Sequence, residues 1–203
     1  MDRLLEGYRR FRSEVWPMER ARYEALARKG QRPETLVIAC SDSRVDPQTV
    51  FGAGPGELFV VRNVAGLVPP YRPDAGYHGT SAALEYAVRV LGVAQIVVLG
   101  HAQCGGVQAM VEGAPEEAQD FVEPWMKIAA PVLLRALPEE VANGDVLGQC
   151  ESAVVRLSLA NLATFPWIAA AVAAGRLALG GFRFDIRTGV LARVEKDDLR
   201  PVA

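Results

Sequence analysis

Three short, largely apolar runs constrain this 203-residue chain more than anything else in it: Thr35-Leu36-Val37-Ile38-Ala39-Cys40, Leu58-Phe59-Val60-Val61-Arg62 and Gln95-Ile96-Val97-Val98-Leu99-Gly100. Each is continuous rather than alternating and rich in β-branched residues. That is the pattern of a strand covered on both faces, as in a parallel sheet. Helical patterning lies between and after them, so the chain is expected to fold as an α/β protein. Two of the runs lead straight into residues with metal chemistry. The first ends at Cys40-Ser41-Asp42-Ser43-Arg44, the third at Gly100-His101-Ala102-Gln103-Cys104-Gly105-Gly106. Open α/β sheets place their sites at the carboxyl ends of strands.

The rest of the chain fits around that frame. Leu4, Tyr8, Phe11 and Val15 recur at helical spacing, which predicts an amphipathic first helix stopped near Trp16-Pro17. Its stripe packs on its own core or on a neighbouring subunit. A second helical piece runs from Glu19 to Lys29 and ends at Gly30. Residues Gly66 to Gly79, with Pro69, Pro70 and Pro73, read as a loop. Leu84, Ala87, Val88 and Leu91 mark a helix ending at Gly92, and Gly105-Gly106 opens another. Helical patterns follow from Phe121 to about Leu137, from Val141 to Leu162, and from Pro166 to Gly175. Strands are expected at Leu177–Leu179 and Phe182–Ile186, with a turn at Thr188-Gly189 to a last strand through Val194. The expected fold is therefore a mainly parallel central sheet flanked by helices. It carries an N-terminal helical arm and an antiparallel edge strand near the C-terminus. It reads as a single α/β domain over 1–203, with the arm at 1–30, the site core at 31–113, and helices and C-terminal strands at 114–203.

Composition narrows the function classes. A formal net charge of −2 gives no electrostatic argument for nucleic acid or an anionic membrane. No apolar run approaches the roughly 20 residues of a membrane span. The opening Met1-Asp2-Arg3-Leu4-Leu5-Glu6 lacks a signal-peptide apolar region, so a cytoplasmic protein is expected. Three cysteines leave an odd thiol in any disulfide scheme, and metal ligation in a reducing compartment suits them better.

Cys40, His101 and Cys104 are two thiolates and one imidazole, a set that suits Zn²⁺ and leaves a tetrahedral ion one open position. Two thiolates cancel the charge of the ion, so it should acidify water less than three neutral histidines would. Asp42 stands two residues beyond the first ligand. Its carboxylate either closes the site as a fourth ligand or accepts a hydrogen bond from the attacking water. Arg44 bears on that choice, because a bidentate guanidinium–carboxylate pair holds Asp42 ionised and turned from the metal. Other readings stand beside this one. A closed Cys2HisAsp site would be structural. A phosphatase loop has five residues between Cys and Arg, and here there are three. A redox Cys-x-x-Cys is absent. Cys150 reads as a small buried hydrophobe. His78 reads as a solvated or capping residue at a helix entry, the alternative being a proton shuttle.

Taken together, Ala39-Cys40-Ser41-Asp42-Ser43-Arg44-Val45, Pro55-Gly56-Glu57, Val61-Arg62-Asn63-Val64-Ala65 and Gly100–Gly106 resemble the motifs of the β-class carbonic anhydrases, in that family's order. The resemblance runs from about Gln31 to Gly113 and resumes more weakly from Phe121 to about Val190. Arg62 to Tyr71 and Gly180-Gly181-Phe182 resemble the plant-type branch. The resemblance implies a zinc-dependent lyase that hydrates CO2 reversibly to bicarbonate and a proton through a zinc-bound hydroxide. It implies zinc on Cys40, His101 and Cys104, and a catalytic dyad of Asp42 and Arg44. Gln31 and the Gly105 N–H would contact the bound anion, and Phe59, Val64 and Tyr86 would line an apolar CO2 pocket completed by a partner subunit. A homodimer or higher homo-oligomer follows, the first helix embracing its neighbour. One branch with a regulatory bicarbonate pocket carries Trp and Gly where this chain has Val37 and Ala39, so that regulation is not implied. Two alternatives remain on the same residues: a hydrolase of COS or CS2, and a non-catalytic zinc module, against which the Asp42–Arg44 pair argues.

Overall fold

The computed structural model describes residues 1–132, 145–196 and 198–202. Its centre is a six-stranded sheet in the order β2-β1-β3-β4-β5-β6, comprising β1 (Thr35–Cys40), β2 (Leu58–Asn63), β3 (Gln95–His101), β4 (Ala178–Phe184), β5 (Leu191–Val194) and β6 (Leu199–Pro201). The first four strands are parallel; β5 and β6 are antiparallel additions. The three apolar runs are thus the centre and one edge of the sheet, as their continuity predicts. In register, Ile38 stands between Val61 of β2 and Val98 of β3.

Side chains alternate across the pleat. Leu36, Ile38, Ile96 and Val98 face one side, where they pack on Leu84, Val155, Phe165 and Ile168. These come from α4 (Gly79–Glu85), α7 (Val146–Leu162) and α8 (Pro166–Ala173), with Phe165 just before α8. Val37, Ala39 and Leu99 face the other side, against Val45, Val50, Phe51 and Phe182. A third apolar cluster closes the carboxyl end of the sheet. It joins Cys40 and Cys104 to Leu67, Val107, Met126 and Val154, with Val107 on α5 (Gly105–Glu112) and Met126 on α6 (Val122–Met126). Burying each such aliphatic side chain stabilises the fold by about 1.5–3 kcal/mol. The side chain of Asp145 caps α7 by accepting from Gly148 N at 3.0 Å.

Four details differ from the sequence expectations. Pro17 does not end the first helix. Helix α1 (Asp2–Arg10) passes through a π-helical turn, Phe11–Val15, into α2 (Trp16–Lys29). Pro17 lies inside this unbroken helical run, where its missing N–H costs one backbone bond, and the widened turn before it makes room for its ring. The two strands expected at Leu177–Leu179 and Phe182–Ile186 are one strand, β4, because Gly180-Gly181 stays in the ladder beside Val97 and Val98. Two short elements carried no periodicity long enough to read: β6 and α3 (Pro47–Val50), whose N-cap is Asp46. Within Phe121–Leu137, helix is present at Val122–Met126 and continues as a tighter turn at Lys127–Ala129. The helical expectations for 133–137 and 141–144 lie outside the described residues. Among the described residues no single helix is long and apolar enough to cross a membrane.

Candidate metal centre

The ends of β1 and β3 are adjacent, and so are the residues that follow them. Cys40 Sγ, an His101 ring nitrogen and Cys104 Sγ all lie within 4.8 Å of one another, and all three residues are buried. The two sulfurs are 3.9 Å apart. Two thiolates each about 2.3 Å from a tetrahedral zinc would stand at nearly that separation. His101 Nδ1 is 2.9 Å from the Ala102 carbonyl, to which it donates. That bond fixes the tautomer with a bare Nε2, which is buried with no hydrogen-bond partner among the described residues. A buried, unsatisfied imidazole nitrogen facing two thiols is a costly arrangement unless a metal completes it. The donor set therefore fits zinc.

The thiols are tuned as a pair. The contact with the Cys104 sulfur favours the Cys40 thiolate against its burial and lowers that group, with His101 assisting. Burial is the largest single influence and works against a charged His101, but the Cys40 sulfur, the Ala102 carbonyl and Asp42 together outweigh it and raise that group. The same pairing pushes Cys104 up, since a second thiolate beside the first is resisted without a cation. The Gly106 and Val107 N–H groups at the start of α5 point at the Cys104 sulfur and oppose that rise.

Asp42 is turned toward Arg44. Arg44 Nε donates to Oδ1 at 3.0 Å, Nη2 to Oδ2 at 2.7 Å, and the Arg44 backbone N–H to Oδ1 at 2.9 Å. The Arg44 side-chain hydrogen bonds, ahead of its backbone bond, hold the Asp42 carboxyl far below the ordinary carboxylate range. Oδ2 is 3.8 Å from His101 Nε2, close to the trio but bonded elsewhere. Arg44 Nη2 also donates to the Gln103 carbonyl at 3.0 Å, and Gln103 holds a positive φ of 56° that aims it there.

The sequence did not disclose three supports of this arrangement. Arg62 on β2 donates to the carbonyls of Cys40 (3.0 Å), Asp42 (2.6 Å) and Val45 (2.9 Å), clamping the loop that carries the dyad. Asn63 donates to Leu67 O and accepts from Leu67 N, folding the chain back beneath Cys40. Glu151 accepts from the Cys104 backbone N–H at 3.2 Å. Only Glu151 left a signal, as the sole acid in the apolar helix VLGQCESAVVRLSLANL.

The expected pocket residues divide. Phe59 and Tyr86 pack on each other with ring centroids 6.0 Å apart. Val64 lies elsewhere, in a largely apolar cleft of about 770 Å³ with Pro69, Tyr77, His78 and Trp125, which neither aromatic lines. The Val64 carbonyl accepts from Trp125 Nε1 at 2.8 Å. A Cβ on Gly106 would lie 2.8 Å from a Val64 methyl, whereas one on Gly105 would meet open space. Gln31 is exposed in the segment before β1 and makes no side-chain hydrogen bond among the described residues. His78 pairs with Asp74 at 2.6 Å in an exposed loop.

Comparison with known proteins adds the following. Residues 35–191 match a family model described as carbonic anhydrase. A carbonic anhydrase of Pseudomonas aeruginosa is 40% identical over 187 residues, covering 92% of this chain and 84% of that one. The structure of the β-carbonic anhydrase CcaA superposes with a TM-score of 0.90 at 31% identity, over 100% of this chain and 92% of that one. One of two β-carbonic anhydrases of Sordaria macrospora, described as tetrameric, gives a TM-score of 0.77 at 29% identity, over 100% and 95% of the two chains.

Proposed function

The chain belongs to the β-carbonic anhydrase family, zinc enzymes that convert CO2 and water reversibly to bicarbonate and a proton, and we propose how its residues divide that work. Cys40, His101 and Cys104 would hold the zinc. The observation that carries this is the buried His101 Nε2 without a partner, set against two sulfurs 3.9 Å apart. Bound there, zinc would supply the Lewis acidity that makes water a nucleophile, at a higher pH than a three-histidine site requires.

The remaining steps fall to side chains and backbone. Asp42, ionised by its pairing with Arg44, accepts a hydrogen bond from the attacking water and orients it toward the substrate carbon. Arg44 does not touch CO2; it keeps the carboxylate turned away from the metal position. Phe59, Val64 and Tyr86 would give the uncharged, weakly hydrated CO2 an apolar site. The Gly105 N–H, at the positive end of α5, and Gln31 would face the developing anion. In a single chain Val64 stands apart from the Phe59–Tyr86 pair, which supports a pocket completed by a second copy.

The assembly we infer is a homodimer or an assembly of dimers. The arm supports it: Leu4, Tyr8 and Met18 are exposed along α1 and α2, which bury no residue in the single chain. The Sordaria relatives are described as tetrameric. A reducing compartment such as the cytoplasm suits the paired ligand thiols. Stopped-flow CO2 hydration by the purified protein, with its zinc content measured and COS offered in parallel, tests the reading. Turnover on CO2 in proportion to zinc is expected; a zinc-loaded protein that turns over COS alone would overturn it.

A further inference from the structure

Glu151 lies in the middle of α7 and is 3% exposed. Its Oε2 accepts from Arg183 on β4, through Nε at 2.9 Å and Nη2 at 2.7 Å. Its Oε1 leaves that ion pair and accepts from the Cys104 backbone N–H at 3.2 Å. A buried ion pair is an expensive way to stabilise a core, and an apolar pair of similar volume commonly does as well or better. The contact to Cys104 is what an apolar pair could not supply.

Cys104 needs such a contact. It is the N-cap of α5, so its N–H lies outside the helical ladder. It follows Gln103, whose left-handed backbone is unfavourable for a residue with a Cβ. The fold brings Glu151 to it deliberately. One turn further along α7, the two methyls of Val155 nest where Cβ atoms on Gly100 and Gly181 would be, at 2.6 and 2.7 Å. That close approach sets the helix against the carboxyl ends of β3 and β4, beside Cys104. Arg183 is two residues beyond Gly181 on β4, hence on the same face of the strand.

We propose that Glu151 is a positioning residue for the metal centre, fixing the Cys104 backbone so that its sulfur meets Cys40 and His101, with Arg183 supplying the counter-charge. The inference rests on the reading of Cys104 as a zinc ligand. Partners one step removed from a metal characteristically govern affinity by 10–100-fold when removed.

The test compares two double variants in which the ion pair is gone. Glu151→Leu with Arg183→Met leaves the Cys104 N–H without an acceptor. Glu151→Gln with Arg183→Met keeps an amide oxygen there. Zinc dissociation constants are read by competition with a chromophoric chelator, and the thiolate-to-metal charge-transfer band is read on the cobalt-substituted proteins. The leucine variant should bind zinc about 10–100-fold more weakly, with a shifted cobalt band, while remaining folded; the glutamine variant should stay close to wild type. Should the leucine variant not fold, Glu151→Asp serves. It keeps the charge for Arg183 but draws the carboxylate back from Cys104, and should weaken zinc in the same sense. Equal zinc affinity in the two doubles, or an unchanged affinity in Glu151→Asp, overturns the inference. A wild-type chain that takes up no zinc overturns the metal reading itself, so the two failures are distinguishable.

Discussion

Arg44 meets Asp42 edge to edge, Nε to Oδ1 at 3.0 Å and Nη2 to Oδ2 at 2.7 Å, while Oδ2 stays 3.8 Å from the metal-facing nitrogen of His101. The carboxylate is therefore within a small rotation of the trio, and the Arg44 side chain, helped by that residue's backbone N–H, holds it away. Arg44→Ala should release it. The expected variant is folded and zinc-loaded, hydrates CO2 roughly a hundredfold more slowly, and carries four protein ligands in the spectrum of its cobalt form. Lys at position 44 should recover part of the rate, since an ammonium cannot make the two-pronged contact. Near-normal turnover in Arg44→Ala would reduce the pair to an ordinary ion pair.

The cysteines should separate cleanly. Cys104→Ser should remove most of the zinc, because a hydroxyl is a poor substitute for a thiolate at this metal. Cys150, in the apolar cluster below the site, should tolerate Ala with zinc retained. Metal analysis of the two purified variants decides it; full zinc in Cys104→Ser would remove Cys104 from the ligand set.

Hydration should rise with pH into the alkaline range. Two thiolates make the metal a weaker Lewis acid than a three-histidine site, so water is activated at higher pH. Asp42 does not shape that limb: Arg44 holds it ionised far below neutrality, and it gains no further charge as pH rises. A pH–rate profile already saturated well below neutrality would contradict this account.

The paired glycines after Cys104 should not be equivalent. A Cβ on Gly106 would meet a Val64 methyl at 2.8 Å and Ala65 Cβ at 3.1 Å, whereas one on Gly105 meets nothing within 4 Å among the described residues. Gly106→Ala should lower stability by about 1–3 kcal/mol through overpacking. Gly105→Ala, which keeps its N–H, should fold at nearly the wild-type temperature. Thermal melts of the two variants side by side give the comparison.

The exposed arm should govern assembly. Leu4 is 75% and Tyr8 59% exposed in the single chain. Leu4→Asp with Tyr8→Asp puts two charges on that stripe and should lower the oligomeric state seen by sedimentation velocity. An unchanged assembly would place the interface elsewhere.

The sequence by itself determined the elements whose signal is local. Continuous β-branched runs located β1, β2 and β3 to within a residue, and Gly30 and Gly92 marked where helices stop, because backbone preference and burial act over a few neighbouring residues. The metal trio and the Asp42–Arg44 pair were legible too, since each half lies in a short motif at a strand end. Tertiary structure decided what depends on residues far apart in the chain. Pro17 continues the arm because the turn before it widens, and Gly180-Gly181 stays in β4 because Val155 packs into the space they leave. Arg62 grips the Cys40 loop from 22 residues away, and Glu151 reaches Cys104 from 47. Neither spacing leaves a periodic trace, because such contacts exist only once the sheet has brought the ends of β1, β2 and β3 together.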